Sequence, residues 1–130
     1  MLRTPQDSRP LLPPGPSEVQ LAILSTTLCG SDLHYFNHYR NGDIIVREPL
    51  TLGHESAGRV VAVGSEVAGF ATGDLVALEM GLPCGTCELC AGGRYNICRD
   101  MRFGSSARVV PHLQGTLQER MNHPAAWCHK

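Results

Sequence analysis

Four cysteines fall within fifteen residues, at Cys84, Cys87, Cys90 and Cys98, in the spacing C-x2-C-x2-C-x7-C. Thiolates crowded this closely form the ligand set of a tetrahedral zinc site, closed by four donors with no position left for substrate. The competing chemistry is a pair of disulfides, which needs an oxidising compartment. The stretch Met1 to Pro10 lacks the apolar core of an export signal. The expected location is therefore cytoplasmic, where thiols stay reduced and zinc wins. The remaining cysteines, Cys29 and Cys128, stand apart from the cluster.

A second group carries a different chemistry. Gly53-His54-Glu55 opens a run punctuated by Gly58 and Gly64, and Cys29-Gly30-Ser31-Asp32 lies upstream with His34. A thiolate, an imidazole and a carboxylate make a three-donor zinc set, and three protein ligands leave a position open for catalysis. Taken singly, each residue has a plainer reading. Cys29 reads as a small buried side chain, His54 as a hydrogen-bonded structural histidine and Glu55 as a solvated charge. Spacing alone does not pair Cys29 with His54.

The elements that must hold these residues read as short strands. Val19–Leu28 alternates as a strand, Ala57–Val63 is rich in β-branched residues, and Leu75–Leu78 follows a Gly73-Asp74 turn. Pro49–Leu52 reads as a strand end just before His54, and Thr116–Met121 as a weak last strand. Ser31 and Asp32 are placed to cap a short helix through Phe36, and Arg40–Asp43 is a turn. The cysteine stretch is expected to be a loop wrapped around its metal. Residues 1–17, with Pro5, Pro10, Pro13, Pro14 and Pro16, read as an extended, exposed lead-in. Residues 18–130 form one mainly β, barrel-type domain, with the zinc lobe at 84–98.

Bulk properties narrow the function. Hydrophobic residues make up 42% and charged residues 18%, which suits a folded globular chain. The net charge of -1 gives no basic footprint for nucleic acid. No apolar run reaches the roughly 20 residues that span a bilayer. Neither a nucleic-acid nor a membrane partner is expected.

Cys29-Gly30-Ser31-Asp32-Leu33-His34, the Gly53-His54-Glu55 pattern and the cysteine quartet together resemble the zinc-dependent medium-chain dehydrogenase/reductase superfamily. The resemblance runs from about Gly15 to Lys130. Cys29 through Tyr35 and Val46 through His54 look most like the polyol dehydrogenases that act on sorbitol, xylitol and L-arabinitol. It implies a GroES-like catalytic domain oxidising a secondary alcohol to a ketone. It also implies that Cys29 and His54 hold the catalytic zinc, with Glu55 a further ligand or a nearby partner, and with Asp32 hydrogen-bonded to His54 and fixing its tautomer. Ser31 would take the alcohol proton, His34 would relay it and Tyr35 would touch substrate. Cys84, Cys87, Cys90 and Cys98 would hold a structural zinc. The implied cofactors are zinc and either NAD or NADP, and the partner is a small polyol or alcohol.

The nucleotide-binding Rossmann fingerprint G-x-G-x-x-G does not occur in these 130 residues. The expectation is a truncated catalytic domain, inactive by itself, with exposed edges that favour dimerisation. Three other readings stand beside it: a non-catalytic zinc-binding structural or interaction fragment, an inactive fragment that pairs with a full-length relative, and another zinc alcohol dehydrogenase of the same superfamily. Retention of Cys29, Ser31, Asp32, His54 and Glu55 together favours enzyme ancestry.

Overall fold

The computed structural model describes residues 7–130. Its centre is a five-stranded antiparallel sheet. The strands named here are β1 (Glu18–Thr27), β2 (Arg40–Asn41), β3 (Ile44–Ile45), β4 (Glu55–Val63), β5 (Leu75–Glu79), β6 (Gly81–Leu82), β7 (Arg102–Phe103), β8 (Arg120–Pro124) and β9 (Cys128–His129). The sheet order is β8-β1-β4-β5-β9, and two small two-stranded sheets pair β2 with β3 and β6 with β7. The fold is mainly β, as the strand pattern predicts.

Two-residue alternation builds the core. Val19 and Leu21 of β1, Val60 of β4, and Val76 and Leu78 of β5 are buried, and Met80, Met121, Ala125 and Cys128 close around them. Burying each large aliphatic side chain stabilises the fold by about 1.5–3 kcal/mol. On β5 the neighbours Leu75 and Ala77 are exposed, so one sheet face is solvated.

The pairing of β1 with β4 positions the chemistry. Thr27 at the end of β1 lies opposite Glu55 at the start of β4. Because the strands run antiparallel, the residues just after β1 and just before β4 meet at one end of the sheet. Cys29 and His54, twenty-five residues apart, are brought together in this way. Chain reversal from β1 goes through α1 (Gly30–His38). The cysteine lobe hangs between β6 and β7, whose pairing at Gly81–Phe103 and Leu82–Arg102 closes its neck.

Several local expectations shift. The N-cap of α1 is Cys29, and Asp32 sits at the third helical position with its carboxylate turned back to the Cys29 N–H. Pro49–Leu52 is irregular rather than strand, since its backbone groups are taken by side chains and by the 115–117 segment. The strand expected over Thr116–Met121 begins only at Arg120, because Gly115, Thr116 and Leu117 spend their N–H groups on Thr51, Gly53 and Leu52, and it is not the last, since β9 follows it and pairs with β5. The cysteine stretch is not wholly loop, since it contains a short helix α2 (Glu88–Ala91) and a 3-10 turn at Tyr95–Ile97. Residues 7–15 of the Pro-rich segment have no regular structure, but the Asn122 side chain donates to Leu12 O at 3.0 Å and ties them to β8. Pro5 lies outside the described residues.

Candidate metal centre

Cys29, His54 and Glu55 converge, with one potential ligand atom from each lying within 4.8 Å of the others. Cys29 and His54 are half-buried and Glu55 is exposed, where the Thr27 hydroxyl donates to its carboxylate. The set therefore has a protected side and an open side. The open side faces a cleft of about 470 Å³ lined by His54, Glu55, Met80, Asn96, Met101 and Phe103, among others. The Phe103 ring meets the His54 ring edge-on at 5.2 Å between centroids.

Asp32 organises the protected side. It is 1% exposed, and its two oxygens are divided between tasks. Oδ1 accepts from the Gly53 N–H at 3.0 Å and from the Ser105 hydroxyl at 2.5 Å. Oδ2 accepts from the Cys29 N–H at 3.0 Å and faces His54 Nδ1 at 3.4 Å. Burial by itself would raise the Asp32 pKa. The Ser105 hydroxyl, the Gly53 and Cys29 N–H groups and the nearby His54 outweigh it and hold the carboxyl below its ordinary value.

The expected hydrogen bond from Asp32 to His54 is not fully formed. The 3.4 Å approach lacks hydrogen-bond alignment, and His54 Nδ1 is a buried polar atom without a partner. A small rotation of the ring completes the bond to Asp32 and aims the other ring nitrogen away from it. That is the arrangement in which a histidine serves as a metal ligand. Sulfur, imidazole and carboxylate donors are also the types zinc takes in open sites. The residues present fit a divalent metal.

The cysteine quartet is closed. Its sulfurs lie 3.5 Å apart for Cys87–Cys90 and Cys84–Cys98, 3.9 Å for Cys87–Cys98 and 4.0 Å for Cys84–Cys90. A tetrahedron with Zn–S bonds of about 2.3 Å has edges of about 3.8 Å, so the cage has the right size for zinc. All six cysteines are free thiols. Backbone N–H groups of Thr86 and Cys87 draw the Cys84 thiol down to about 6, whereas desolvation pushes Cys90 up to about 12. Four sulfurs this close do not all ionise without a cation among them.

The other expected site residues are spread out. Ser31 is half-buried on the first turn of α1, directly after Gly30. His34 is exposed and packs against His38 at 5.9 Å between ring centroids. Tyr35, expected at the substrate, is buried, and its hydroxyl accepts from the Ala107 N–H at 3.3 Å. Ser105 and Phe103 are the residues that sequence reasoning misses. Both follow the cysteine lobe, and no motif marks them.

No helix among the described residues is long and apolar enough to cross a membrane. Residues 15–130 match the alcohol dehydrogenase GroES-like domain. An L-idonate 5-dehydrogenase of Vitis vinifera is 43% identical over 116 residues, covering 89% of this chain and 31% of its own length. An L-arabinitol 4-dehydrogenase of Aureobasidium melanogenum is 47% identical, covering 88% of this chain and 30% of its own. A sorbitol dehydrogenase of Arabidopsis thaliana is 42% identical, covering 89% and 31%. Among solved structures, the L-idonate 5-dehydrogenase of Escherichia coli K-12 superimposes with a TM-score of 0.77 at 32% identity, over 88% of this chain and 32% of that one. An NAD-dependent alcohol dehydrogenase superimposes with a TM-score of 0.79 at 32% identity, over 94% and 34%. The chain thus spans about a third of the length of the relatives it matches. Family match, relatives and fold agree, and this chain belongs to the alcohol dehydrogenase GroES-like domain family.

Proposed function

We propose that these residues supply the catalytic metal centre of a zinc- and NAD(P)-dependent polyol dehydrogenase, which oxidises a secondary alcohol to a ketone. The convergence of Cys29, His54 and Glu55 beside an open cleft, with Asp32 buried behind them, carries this reading. Zinc bound there supplies Lewis acidity toward an alcohol oxygen. The rest falls to the chain. Asp32 already ties the Cys29 and Gly53 backbones together, and on completing its bond to His54 Nδ1 it would hold that ring in one tautomer. Ser31, on the turn that begins at Cys29, takes the alcohol proton, and exposed His34 passes it to solvent. Tyr35 seats α1 through Ala107. Phe103 and Met80 give the cleft an apolar lining, and the exposed Asn96 amide is placed to hydrogen-bond a further hydroxyl, which suits a polyol better than a simple alcohol. The quartet holds the structural zinc. A reducing setting such as the cytoplasm suits the six free thiols.

Metal analysis tests the reading. Purified chain is expected to hold two zinc ions, and Cys29→Ser with His54→Ala is expected to hold one. Unchanged zinc content in that variant would show that the triad is not a site. The 130 residues by themselves are expected to give no polyol-dependent NAD+ reduction. Hydride transfer needs a nicotinamide held against the alcohol carbon, a positioning worth several kcal/mol or more of the barrier. Clear turnover by the purified chain would refute this division of labour.

A further inference from the structure

We propose that Ser105 is a positioning residue of the Cys29–His54–Glu55 centre, acting through Asp32. The inference rests on the reading of that triad as a metal site. Ser105 is 3% exposed and has a φ of 62°, a left-handed conformation that glycine adopts freely and an L-residue adopts at a cost. A serine kept in that conformation needs its side chain to repay the strain. The hydroxyl donates to Asp32 Oδ1 at 2.5 Å across seventy-three residues of sequence.

The consequence is geometric. With the Ser105 hydroxyl and the Gly53 N–H both on Oδ1, the Asp32 carboxylate is pinned in plane. Its other oxygen is thereby directed at the two ligand-bearing residues, through the Cys29 N–H at 3.0 Å and His54 Nδ1 at 3.4 Å. Without Ser105, Oδ1 keeps one donor and the carboxylate can turn away from His54. Ser105 also joins the two metal sites. Gly104 N–H donates to Met80 O at 2.9 Å just beyond β7, the strand that returns from the cysteine lobe, and Ala107 grips Tyr35 two residues later. The lobe's exit therefore docks on α1 at two points, Asp32 and Tyr35.

Two variants separate positioning from simple packing. Ser105→Gly removes the hydroxyl and relieves the backbone, so the relief offsets much of the lost bond to Asp32 and the urea midpoint is expected to fall only slightly. Its affinity for the second zinc, measured by competition with a chromogenic chelator, is expected to fall about tenfold, the lower end of what partners behind a ligand contribute. Ser105→Thr keeps the hydroxyl on a branched side chain poorly suited to this φ. It is expected to lose stability while holding the second zinc within about threefold of wild type, well short of the tenfold loss that marks a missing partner behind the ligand. Wild-type affinity in Ser105→Gly, with two zinc ions in the parent, overturns the role of Ser105 alone. A parent chain holding one zinc, unaffected by Cys29→Ser, overturns the triad and this role with it.

Discussion

Gly115→Ala probes the contact that carries His54. The segment from Gly115 to Leu117 runs beside Thr51–Gly53 and is joined to it by three backbone hydrogen bonds of 2.8 Å each, Gly115 N to Thr51 O, Thr116 N to Gly53 O and Leu117 N to Leu52 O. A Cβ at position 115 would run into Gly53 O and lie 2.5 Å from Leu52 O and 2.6 Å from Leu52 C. All three obstacles are backbone, so no side chain can swing aside. An ordinary contact is about 3.5 Å, and the segments must part by on the order of 1 Å. Bonds stretched by that much fall outside hydrogen-bonding range. Three bonds at about 1 kcal/mol net each set the expected loss at about 3 kcal/mol, the upper range for overpacking. Urea denaturation of zinc-loaded protein measures it, and the second zinc should weaken as well because Gly53 precedes His54. Gly30→Ala is the control. A Cβ there would meet nothing within 4 Å and the backbone is helical, so the change should be neutral or slightly stabilising. Matching urea midpoints and zinc affinities for Gly115→Ala and wild type would refute the close approach.

The quartet and the sheet give two more outcomes. Cys84→Ser with Cys87→Ser should release one zinc and unfold the lobe, since structural zinc contributes on the order of 10 kcal/mol to small zinc folds; amides of residues 84–98 that keep their hydrogen-exchange protection would argue against a metal there. Burial holds the pKa of His123 down, against the pull of its bond to Glu79 O, so the folded chain binds this proton less readily than the unfolded one. Stability from this group is full above the ordinary histidine value of about 6.5 and declines as pH falls through it towards the lowered folded value, by at most about 1.4 kcal/mol per pH unit. His123→Gln should flatten that part of the stability–pH curve, and an unaltered slope would mean that His123 does not titrate abnormally.

What the sequence shows of this protein depends on whether the information is local. The quartet is legible because four thiols in fifteen residues need only a short loop to meet. The strands are legible because Val19, Leu21, Val76 and Leu78 alternate with polar or exposed neighbours. The triad is harder, since Cys29 and His54 meet only through the antiparallel register of β1 and β4, and a family resemblance had to supply the pairing. Ser105 is not legible at all. Its partner is seventy-three residues away, and its left-handed backbone is of a kind serine seldom adopts, so no propensity points to it. The misplaced start of β8 has a similar cause. Thr116–Gln118 alternates acceptably, but its backbone is committed to the 51–53 loop, a tertiary demand that overrides the local pattern.

The two proposed metal sites differ in kind yet line up along one cleft. Four sulfurs close the quartet and would leave a metal held there no open position for substrate, while three mixed donors leave the triad open toward the cleft. That cleft is lined both by His54 and Glu55 and by Asn96 and Met101, which belong to the lobe and its exit. The lobe is thus more than a distant stabiliser. Its fold sets where Asn96 stands, and β7 carries its exit directly to Phe103 against His54 and to Ser105 on Asp32. Loss of the quartet's metal should therefore reach the triad through these three residues. Weaker zinc binding at Cys29, His54 and Glu55 in the Cys84→Ser, Cys87→Ser protein is the expected sign of it. Independent loss of the first zinc, with the second unmoved, would mean that the neck formed by β6 and β7 holds the cleft by itself.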